Sequence, residues 1–122
     1  MRRSRLADEP LQEADPAHFT LPVGRHDLIL VEDPPSSALL VEFEPGGRTH
    51  WHSHPNGQYL HVLDGEGRVQ SRGGEVGRLL PGDTIYAEPG EQHWHGAGED
   101  TPMAHLAVSL GVTEWFEPVT DE

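Results

Sequence analysis

The sequence predicts an all-β fold, a sandwich or barrel of short strands in a single domain. Apolar runs of four to eight residues recur along the 122 residues, and turn signals separate them. Short strands at this spacing are typical of β-sandwiches and β-barrels. With 14 glycines, 11 prolines and no helical periodicity before the extreme C-terminus, a long helix has little room. The predicted strands are residues 28–31, 38–43, 58–63, 67–70, 83–86 and 103–110.

Glycine- and proline-containing turns define the ends of these strands. Glycine adopts backbone angles that other residues avoid, and proline cannot donate a hydrogen bond to a neighbouring strand. Two histidine-rich stretches, near residues 50 and 93, are each followed by a predicted strand, which suggests two similar halves. The predicted turns are residues 33–35, 44–47, 55–57, 64–65, 73–74, 81–83 and 88–90.

Residues 1–17 differ from the rest, because they are polar, charged and poor in large apolar side chains. They predict a mobile N-terminal arm or a strand lent to a partner subunit, with the β-barrel domain at residues 18–122. The start carries two adjacent arginines but no apolar segment behind them, so no signal peptide is predicted. The expected location is the cytoplasm.

Composition excludes several classes of function. The chain has no cysteine, which rules out disulfides, thiolate zinc sites, iron–sulfur clusters and cysteine nucleophiles. Its formal net charge of −13 repels phosphate backbones and anionic membranes. No apolar run approaches the roughly 20 residues that cross a bilayer. We therefore expect neither nucleic acid nor a membrane as a partner, and we interpret the acidic surface as solvated.

The stretch HWHSHPNGQ contains the first group of candidate metal ligands. Side chains alternate between the faces of a strand, so His52 and His54 point the same way, and His50 shares their parity. A Pro-Asn-Gly turn then allows Gln58, at the start of the next strand, to return beside this pair. We expect His50 to lie at the rim.

A second group comes from residues 93–110. His93 and His95 share one face by the same alternation, and His105 shares a face with Ala107 and Ser109. Two imidazoles one residue apart can bind one ion, and a third imidazole with an oxygen donor completes a site suited to Mn, Fe, Ni, Co or Zn. The remaining histidines are expected to lie outside the site: His18, His26 and His61.

These residues resemble the two sequence motifs of the cupin family. Residues 46–65 have the first motif's spacing, Gly46, His52, His54, residue 58 and Gly65, with Gln58 where the family most often has Glu. Residues 82–97 resemble the second motif, with Gly82-Asp83, Pro89-Gly90 and His93. They depart from it at Glu88, where proline is usual, and at Ala97, where asparagine is usual. The resemblance implies a single-domain cupin, a jelly-roll barrel also called a double-stranded β-helix.

Within the cupins, the patterns HSHPNGQ, GEQHWHGA and MAH are similar to a group of small bacterial cupins. That group includes manganese-dependent hydroxynitrile lyases, which cleave a cyanohydrin to an aldehyde or ketone and HCN. The resemblance implies that Mn(II) is the favoured metal and that two histidines, His95 and His105, lie beside it as catalytic residues. The implied metal ligands are His52, His54, Gln58 and His93.

The neutral ligand Gln58 favours Lewis-acid chemistry over redox chemistry. Three neutral imidazoles and an amide leave a divalent centre at about +2, whereas a carboxylate ligand would leave about +1. We therefore expect a lyase acting on a small hydroxylated substrate, with His95 or His105 moving the proton. The alternatives are a dioxygenase or isomerase acting on a small oxygenated compound, and a non-catalytic cupin that binds a metabolite.

Two further expectations concern the cavity and the assembly. Leu39, Val41 and Trp94 are candidates for the walls or mouth of the cavity. Strand edges in a small barrel need cover, and small cupins commonly pair, so a homodimer is expected.

Overall fold

The computed structural model describes residues 1–121 and contains two antiparallel sheets. Two single turns of 3-10 helix, Leu6–Asp8 and Pro16–His18, lie near the N-terminus. The strands are β1 (Gln12–Glu13), β2 (Phe19–Thr20), β3 (Val23–Glu32), β4 (Pro35–Phe43), β5 (Arg48–Thr49), β6 (His52–Ser53), β7 (Gln58–Gly65), β8 (Gly67–Ser71), β9 (Gly77–Leu79), β10 (Thr84–Ala87), β11 (His93–Ala97), β12 (Met103–Leu110) and β13 (Glu114–Trp115).

The first sheet has the strand order β1-β3-β4-β12-β7-β10. Its inner strand β12 pairs with β4 on one side and with β7 on the other. His105 therefore lies opposite Val41 and Val62, and a register shift beside it, between Ala104 and His105, interrupts the pairing with β7. This irregularity bends the strand locally at a residue that faces the interior.

The second sheet brings the two histidine-rich stretches together. Its order is β13-β6-β11-β5-β2, with β8 paired to β11 and β9 paired to β8. His93 of β11 is the direct antiparallel partner of His52 in β6. Opposed residues on neighbouring strands have Cβ atoms about 4.5–5.5 Å apart, so this register alone places two imidazoles side by side.

The core lies between the sheets and consists mainly of inward residues of β4, β7 and β12. Leu79 of β9 and Ala97 of β11 close it from the second sheet. The buried residues in contact are Ala14, Val23, Val41, Phe43, Leu60, Val62, Leu79, Ala97, Met103 and Ala107. The buried histidines adjoin this cluster, since the Phe43 ring packs against those of His95 and His105.

The alternation predicted for β7 and β12 is confirmed. In β12 the even positions are half-buried and the odd positions are buried, which places His105 inside with Ala107 and Ser109. In β7, Gln58 and Leu60 are buried, while His61 lies on the other face and contacts Thr84. The all-β class and the six predicted strands are present, although residues 28–31 are only part of the ten-residue β3.

Several short strands were not predicted: β1, β2, β5, β6, β9 and β13. Each has two or three residues, too few to show an alternating pattern in the sequence. β1 lies in the predicted N-terminal arm and pairs with Gly24 and Arg25 of its own chain. Next to it, Ala14 is buried and its N–H donates to the Val23 carbonyl at 2.8 Å.

The outer face of the second sheet is covered by the chain's own C-terminal residues. Trp94 is almost fully buried there, with the guanidinium groups of Arg48 and Arg68 at 5.1 and 5.4 Å from its ring. Arg48 in turn donates to the Val119 carbonyl at 3.3 Å and to Asp121 at 3.0 Å. These contacts tie the C-terminal segment to the strands that carry the histidines.

Within residues 1–121, no helix has the length and apolar character that crossing a membrane would require.

Candidate metal centre and cavity

Four predicted metal ligands lie together between the sheets. His52 is in β6, His54 follows that strand, Gln58 begins β7 and His93 begins β11. All four side chains are buried. The ring centroid of His52 lies 4.3 Å from that of His93 and 5.0 Å from that of His54. The structure therefore brings together the residues that the sequence selected.

The Pro-Asn-Gly turn delivers Gln58 to this group. Gly57 closes the turn by donating its N–H to the His54 carbonyl at 3.2 Å, and its φ is +98°. A Cβ at this position would also lie 2.8 Å from the Tyr86 hydroxyl, so both the backbone angle and the available space require glycine. The result is that Gln58 Oε1 lies 2.9 Å from His93 Nε2.

Hydrogen bonds orient the three imidazoles so that Nε2 faces the centre. His52 Nδ1 donates to the His50 carbonyl at 2.9 Å, and His93 Nδ1 donates to the Glu91 carbonyl at 3.0 Å. His54 Nδ1 lies 3.1 Å from Thr113 Oγ1. A partner at Nδ1 fixes the ring and leaves the Nε2 lone pair for a metal, as is usual for metal-binding histidines. His54 Nε2 is buried and has no partner among residues 1–121.

The imidazoles of the group are neutral at pH 7. Burial lowers the pKa of His52 well below its ordinary value and lowers the pKa of His54 to about 4, and nearby His93 acts in the same direction on both. Burial also lowers the pKa of His93. The neutral form of the imidazole binds a metal ion, so metal binding at pH 7 requires almost no removal of protons from these rings.

The surroundings of His93 fit a bound cation. Each of its ring nitrogens faces an acceptor, the Glu91 carbonyl at Nδ1 and Gln58 Oε1 at Nε2. Only an imidazolium could donate to both, and burial disfavours that form. A cation would satisfy Nε2 and Oε1 together, and their 2.9 Å separation is close to the ~3.0 Å between adjacent octahedral ligands that lie about 2.1 Å from an ion.

A second grouping shares two members with the predicted ligands. The ligand atoms of His52, His93 and His95 all lie within 4.8 Å of one another, and all three residues are buried. This trio contains His95, which the sequence predicts to be a catalytic residue, and it does not contain His54. The choice of His54 over His95 as the third imidazole ligand stays a prediction.

His95 and His105 form a buried pair next to the ligands. A hydrogen bond of 3.0 Å joins His105 Nε2 and His95 Nδ1. Among residues 1–121, His95 Nε2 and His105 Nδ1 have no hydrogen-bond partner. Burial lowers the pKa of His105 to about 4, and burial together with His105 lowers the pKa of His95 well below its usual range. The pair is neutral at pH 7 and can hold or pass a proton.

The group opens into a cavity of about 400 Å³. Apolar walls come from Leu39, Val41 and Ala107, and hydroxyl groups come from Ser37 and Thr49. The predictions for Leu39 and Val41 are therefore confirmed. A wider cleft of about 620 Å³ lies elsewhere and is lined by acidic and apolar residues without a histidine, so it offers none of this chemistry.

Two predictions about the cavity were wrong. Trp94 does not line it, because the alternation that turns His93 and His95 inward turns Trp94 to the outer face, where it donates to Gln70 at 2.7 Å. His18 was placed outside the site, yet it lines the cavity and stacks on Trp115 with the ring centroids 4.2 Å apart. Trp115 itself, 4.8 Å from the His52 ring, was not predicted to take part.

The other expected bystanders lie away from the centre. His26 Nδ1 is bonded to the Glu9 carbonyl at 2.8 Å, and neither His26 nor His61 lines the cavity. His50 is half-buried at the edge and contributes only its carbonyl, to His52. Thr113 and Ser109 contact predicted ligands, and their sequence context gave no sign of it, because each contact joins residues more than 50 positions apart.

Comparison with known proteins assigns the fold and a relative. Residues 39–109 match the model of the cupin domain. A curated (R)-mandelonitrile lyase from Granulicella tundricola is 46% identical over 109 residues, which cover 85% of this chain and 83% of the lyase.

Two solved structures show the same architecture. A cupin-like protein from Thermotoga maritima superposes with a TM-score of 0.86 at 35% identity, covering 99% of this chain and 90% of that one. An acetylacetone dioxygenase from Acinetobacter johnsonii has a TM-score of 0.80 at 13% identity over 96% of this chain and 78% of its own, a likeness of fold alone.

Proposed function

This chain belongs to the cupin family, and we propose that it is a metal-dependent lyase acting on a small hydroxylated substrate. The reaction would be that of a hydroxynitrile lyase, in which a cyanohydrin splits into a carbonyl compound and HCN. The observation that carries the proposal is the position of the buried His95–His105 pair beside the ligand group. That group consists of neutral, oriented imidazoles and the side-chain oxygen of Gln58. The identity to a mandelonitrile lyase supports the choice of substrate class.

The proposed metal ligands are His52, His54, Gln58 and His93. His54 is preferred to His95 because it forms the His-x-His pair with His52 and precedes the turn that carries Gln58, whereas a buried Nε2 without a partner is common to both residues. A mixed set of nitrogen and oxygen donors suits Mn(II), and Fe, Ni, Co or Zn are chemically compatible. When bound, a divalent ion among neutral ligands acts as a Lewis acid that stabilises negative charge on a substrate oxygen.

The buried pair supplies the proton transfer. His95 Nε2 is a free, neutral nitrogen that can accept the proton of the substrate hydroxyl as the carbon–cyanide bond breaks. The electrons of the O–H bond form the carbonyl, and those of the broken C–C bond leave with cyanide. The proton on His95 then passes to cyanide, which departs as HCN. His105 stabilises the transient imidazolium through the bond between its Nε2 and His95 Nδ1.

The cavity explains why the substrate is expected to be small. A volume of about 400 Å³ admits one compact molecule. Leu39, Val41 and Ala107 offer apolar contacts to the carbon skeleton, and the histidines, Thr49 and Ser109 offer polar atoms. An apolar wall also keeps water from the proton held by the His95–His105 pair.

Cleavage of racemic mandelonitrile tests the proposal directly. The protein is stripped of metal, reloaded with Mn(II), and assayed for benzaldehyde by its absorbance, with the stripped protein and the His52→Ala variant as controls. We expect release of benzaldehyde only from the reloaded protein. Equal rates from the reloaded and stripped proteins would contradict the proposal.

A dioxygenase is the second candidate, and the trio of His52, His93 and His95 favours it. Three imidazoles without Gln58 form a nitrogen-only set that suits ferrous iron. An isomerase acting on a small oxygenated compound would use the same residues. Oxygen consumption by the Fe(II)-loaded protein with a small diketone distinguishes the dioxygenase from the lyase, which consumes none. A non-catalytic metabolite-binding cupin would show neither activity.

A homodimer is proposed as the assembly. The outer face of the first sheet exposes Tyr59 and Tyr86, whose rings lie 4.8 Å apart, next to the unpaired edge of β10. Exposed aromatic side chains beside an open strand edge favour association with a second copy. The N-terminal arm could exchange between subunits, since β1 is an edge strand of the same sheet. Light scattering after size exclusion measures the mass, and a mass of 13.5 kDa would contradict the dimer.

A further inference from the structure

Residues 109–113, called here the 109–113 segment, lie along the whole turn that contains two of the proposed ligands. That turn, residues 54–58, is called the ligand turn. Ser109 stands opposite Gln58 in the β7–β12 register, and its Oγ accepts a 3.0 Å hydrogen bond from Gln58 Nε2. One residue on, Leu110 bonds the turn through its backbone, accepting from Asn56 N–H at 3.1 Å and donating to the Gly57 carbonyl at 3.0 Å.

The contact continues to the other end of the ligand turn. Gly111 has φ +92°, and a Cβ there would lie 3.1 Å from two ring carbons of Pro55. Thr113 Oγ1 then lies 3.1 Å from His54 Nδ1. The 109–113 segment therefore bonds four residues of the ligand turn through two hydroxyl groups and two backbone bonds, and Gly111 leaves no room for a side chain against the fifth, Pro55.

The remaining two proposed ligands are held differently. His52 and His93 each donate from Nδ1 to the carbonyl two residues earlier in their own stretch, at His50 and Glu91. Those bonds form wherever the strands form. Among residues 1–121, the side chains of His54 and Gln58 make no such bond to a nearby backbone carbonyl, and each contacts a hydroxyl group of the 109–113 segment.

We infer that the 109–113 segment is a positioning element for the metal centre, with Ser109 holding Gln58 and Thr113 holding His54. The inference rests on the ligand assignment made in the proposed function. Ser109 satisfies the amide nitrogen of Gln58 and so leaves Oε1 directed at His93 Nε2. Thr113 Oγ1 lies 3.1 Å from His54 Nδ1, and accepting a hydrogen bond there would leave the lone pair on His54 Nε2.

Without these hydroxyls, the two ligands lose their fixed orientation. A buried amide nitrogen without a partner disfavours the rotamer seen here, and an imidazole without a partner at Nδ1 can rotate or protonate at the wrong nitrogen. The metal-free fold depends much less on either hydroxyl, because the backbone bonds of Leu110 and the packing of Gly111 remain. Loss of metal affinity without comparable loss of fold stability is thus the signature of positioning.

Titration with Mn(II), followed through the electron paramagnetic resonance signal of the free ion, tests this inference. The variants are Ser109→Ala and Thr113→Val, which remove a hydroxyl with little change of shape. Thr113→Ser restores a hydroxyl as the conservative rescue. Ser37→Ala is the matched control, since Ser37 lines the same cavity, stands opposite Ser109 in the sheet and makes no side-chain hydrogen bond to a proposed ligand among residues 1–121.

We expect the dissociation constant for Mn(II) to rise about 10- to 100-fold in Ser109→Ala and in Thr113→Val, as for other partners of metal ligands. Ser37→Ala and Thr113→Ser should keep the wild-type constant, and the melting temperatures of the metal-free variants should fall by only a few degrees. The line shape of bound Mn(II) should also change in the two weakened variants, because it reports the symmetry of the ligands.

Two results would overturn the inference, and they are distinguishable. If wild type binds Mn(II) through His52 while Ser109→Ala and Thr113→Val bind it equally well, the 109–113 segment is structural only and the proposed function stands. If wild type binds no divalent transition metal, or binds it without needing His52, the ligand assignment fails and the inference fails with it.

Discussion

His105 Nε2 lies 3.0 Å from His95 Nδ1, and both imidazoles are buried. Each ring has one nitrogen without a hydrogen-bond partner among the described residues. Burying a polar atom without a partner costs free energy of folding. Phe43 packs against both rings, with centroids 5.9 and 5.4 Å away, and keeps water from them. The pair therefore has the free nitrogens that the proposed proton transfer would use.

Replacing His105 by alanine should separate catalysis from metal binding. The variant should keep its Mn(II) content and lose about 10²- to 10⁴-fold in lyase turnover, the usual effect of removing a group that assists proton transfer. Metal analysis and the mandelonitrile assay measure the two quantities. His61→Ala is the control, because His61 lies on the outer face and bonds only Thr84 among the described residues. Survival of full turnover would make His105 structural.

Replacing Gln58 by glutamate should make the bound metal ion a weaker Lewis acid without weakening its binding. A carboxylate of the same size lowers the charge of the centre by one, so Mn(II) should bind at least as tightly while lyase turnover falls about tenfold. The Mn(III)/Mn(II) potential should fall in the same variant, since an anionic ligand stabilises the oxidised ion. Calorimetric titration, steady-state kinetics and voltammetry test these points. Unchanged turnover at equal metal content would show that the neutral amide has no catalytic significance.

The buried histidines should make the metal-free protein sensitive to acid. Burial lowers the pKa of His105 to about 4, so protons bind this ring more readily in the unfolded chain. Its contribution to stability is complete above its unfolded pKa of about 6.5 and is lost as the pH falls towards 4. Between about pH 7 and about pH 5, His105→Leu should lose about 2 kcal/mol less free energy of unfolding than wild type.

Urea denaturation at each pH measures that difference. The difference in free energy of unfolding between wild type and His105→Leu is the informative quantity, because carboxylates also titrate in this pH range. A difference near zero would mean that the His105 ring accepts a proton in the fold as easily as in water.

Replacing Trp94 by alanine should destabilise the fold without touching the chemistry. The indole is enclosed between Arg48 and Arg68 on the outer face, and its removal should cost about 3–5 kcal/mol, as for other buried aromatic side chains. Turnover per bound metal ion, measured at low temperature where the variant is folded, should equal that of wild type. A large loss of specific turnover would indicate that the outer face communicates with the cavity.

Strand alternation accounts for most of the site that was visible in the sequence. His52 and His54, His93 and His95, and the face shared by His105 and Ser109 all follow from a period of two residues. The same rule turns Trp94 outward. The prediction that Trp94 lines the cavity was wrong because it did not apply strand alternation to this aromatic residue. The turn at Gly57 could be predicted from the sequence, because glycine is the residue that adopts a positive φ such as the one found there.

The rest depended on contacts that no local pattern records. Thr113 reaches His54 and Trp115 reaches His52 only because β13 pairs with β6, a two-residue strand against another of the same length. His18 lines the cavity through its stacking on Trp115, a contact between residues nearly 100 positions apart. Such pairings are decided by the packing of the two sheets, and the sequence around each partner looks like an ordinary loop.

The position of Trp115 gives the protein a built-in optical probe. Its ring lies 4.8 Å from His52 and lines the cavity, whereas Trp94 is packed on the outer face and Trp51 is covered by Arg72 at 4.3 Å. A paramagnetic ion held by the histidines would quench the emission of Trp115 far more than that of the other two. Fluorescence of the unlabelled protein therefore offers a way to follow metal binding and release at the proposed centre in real time.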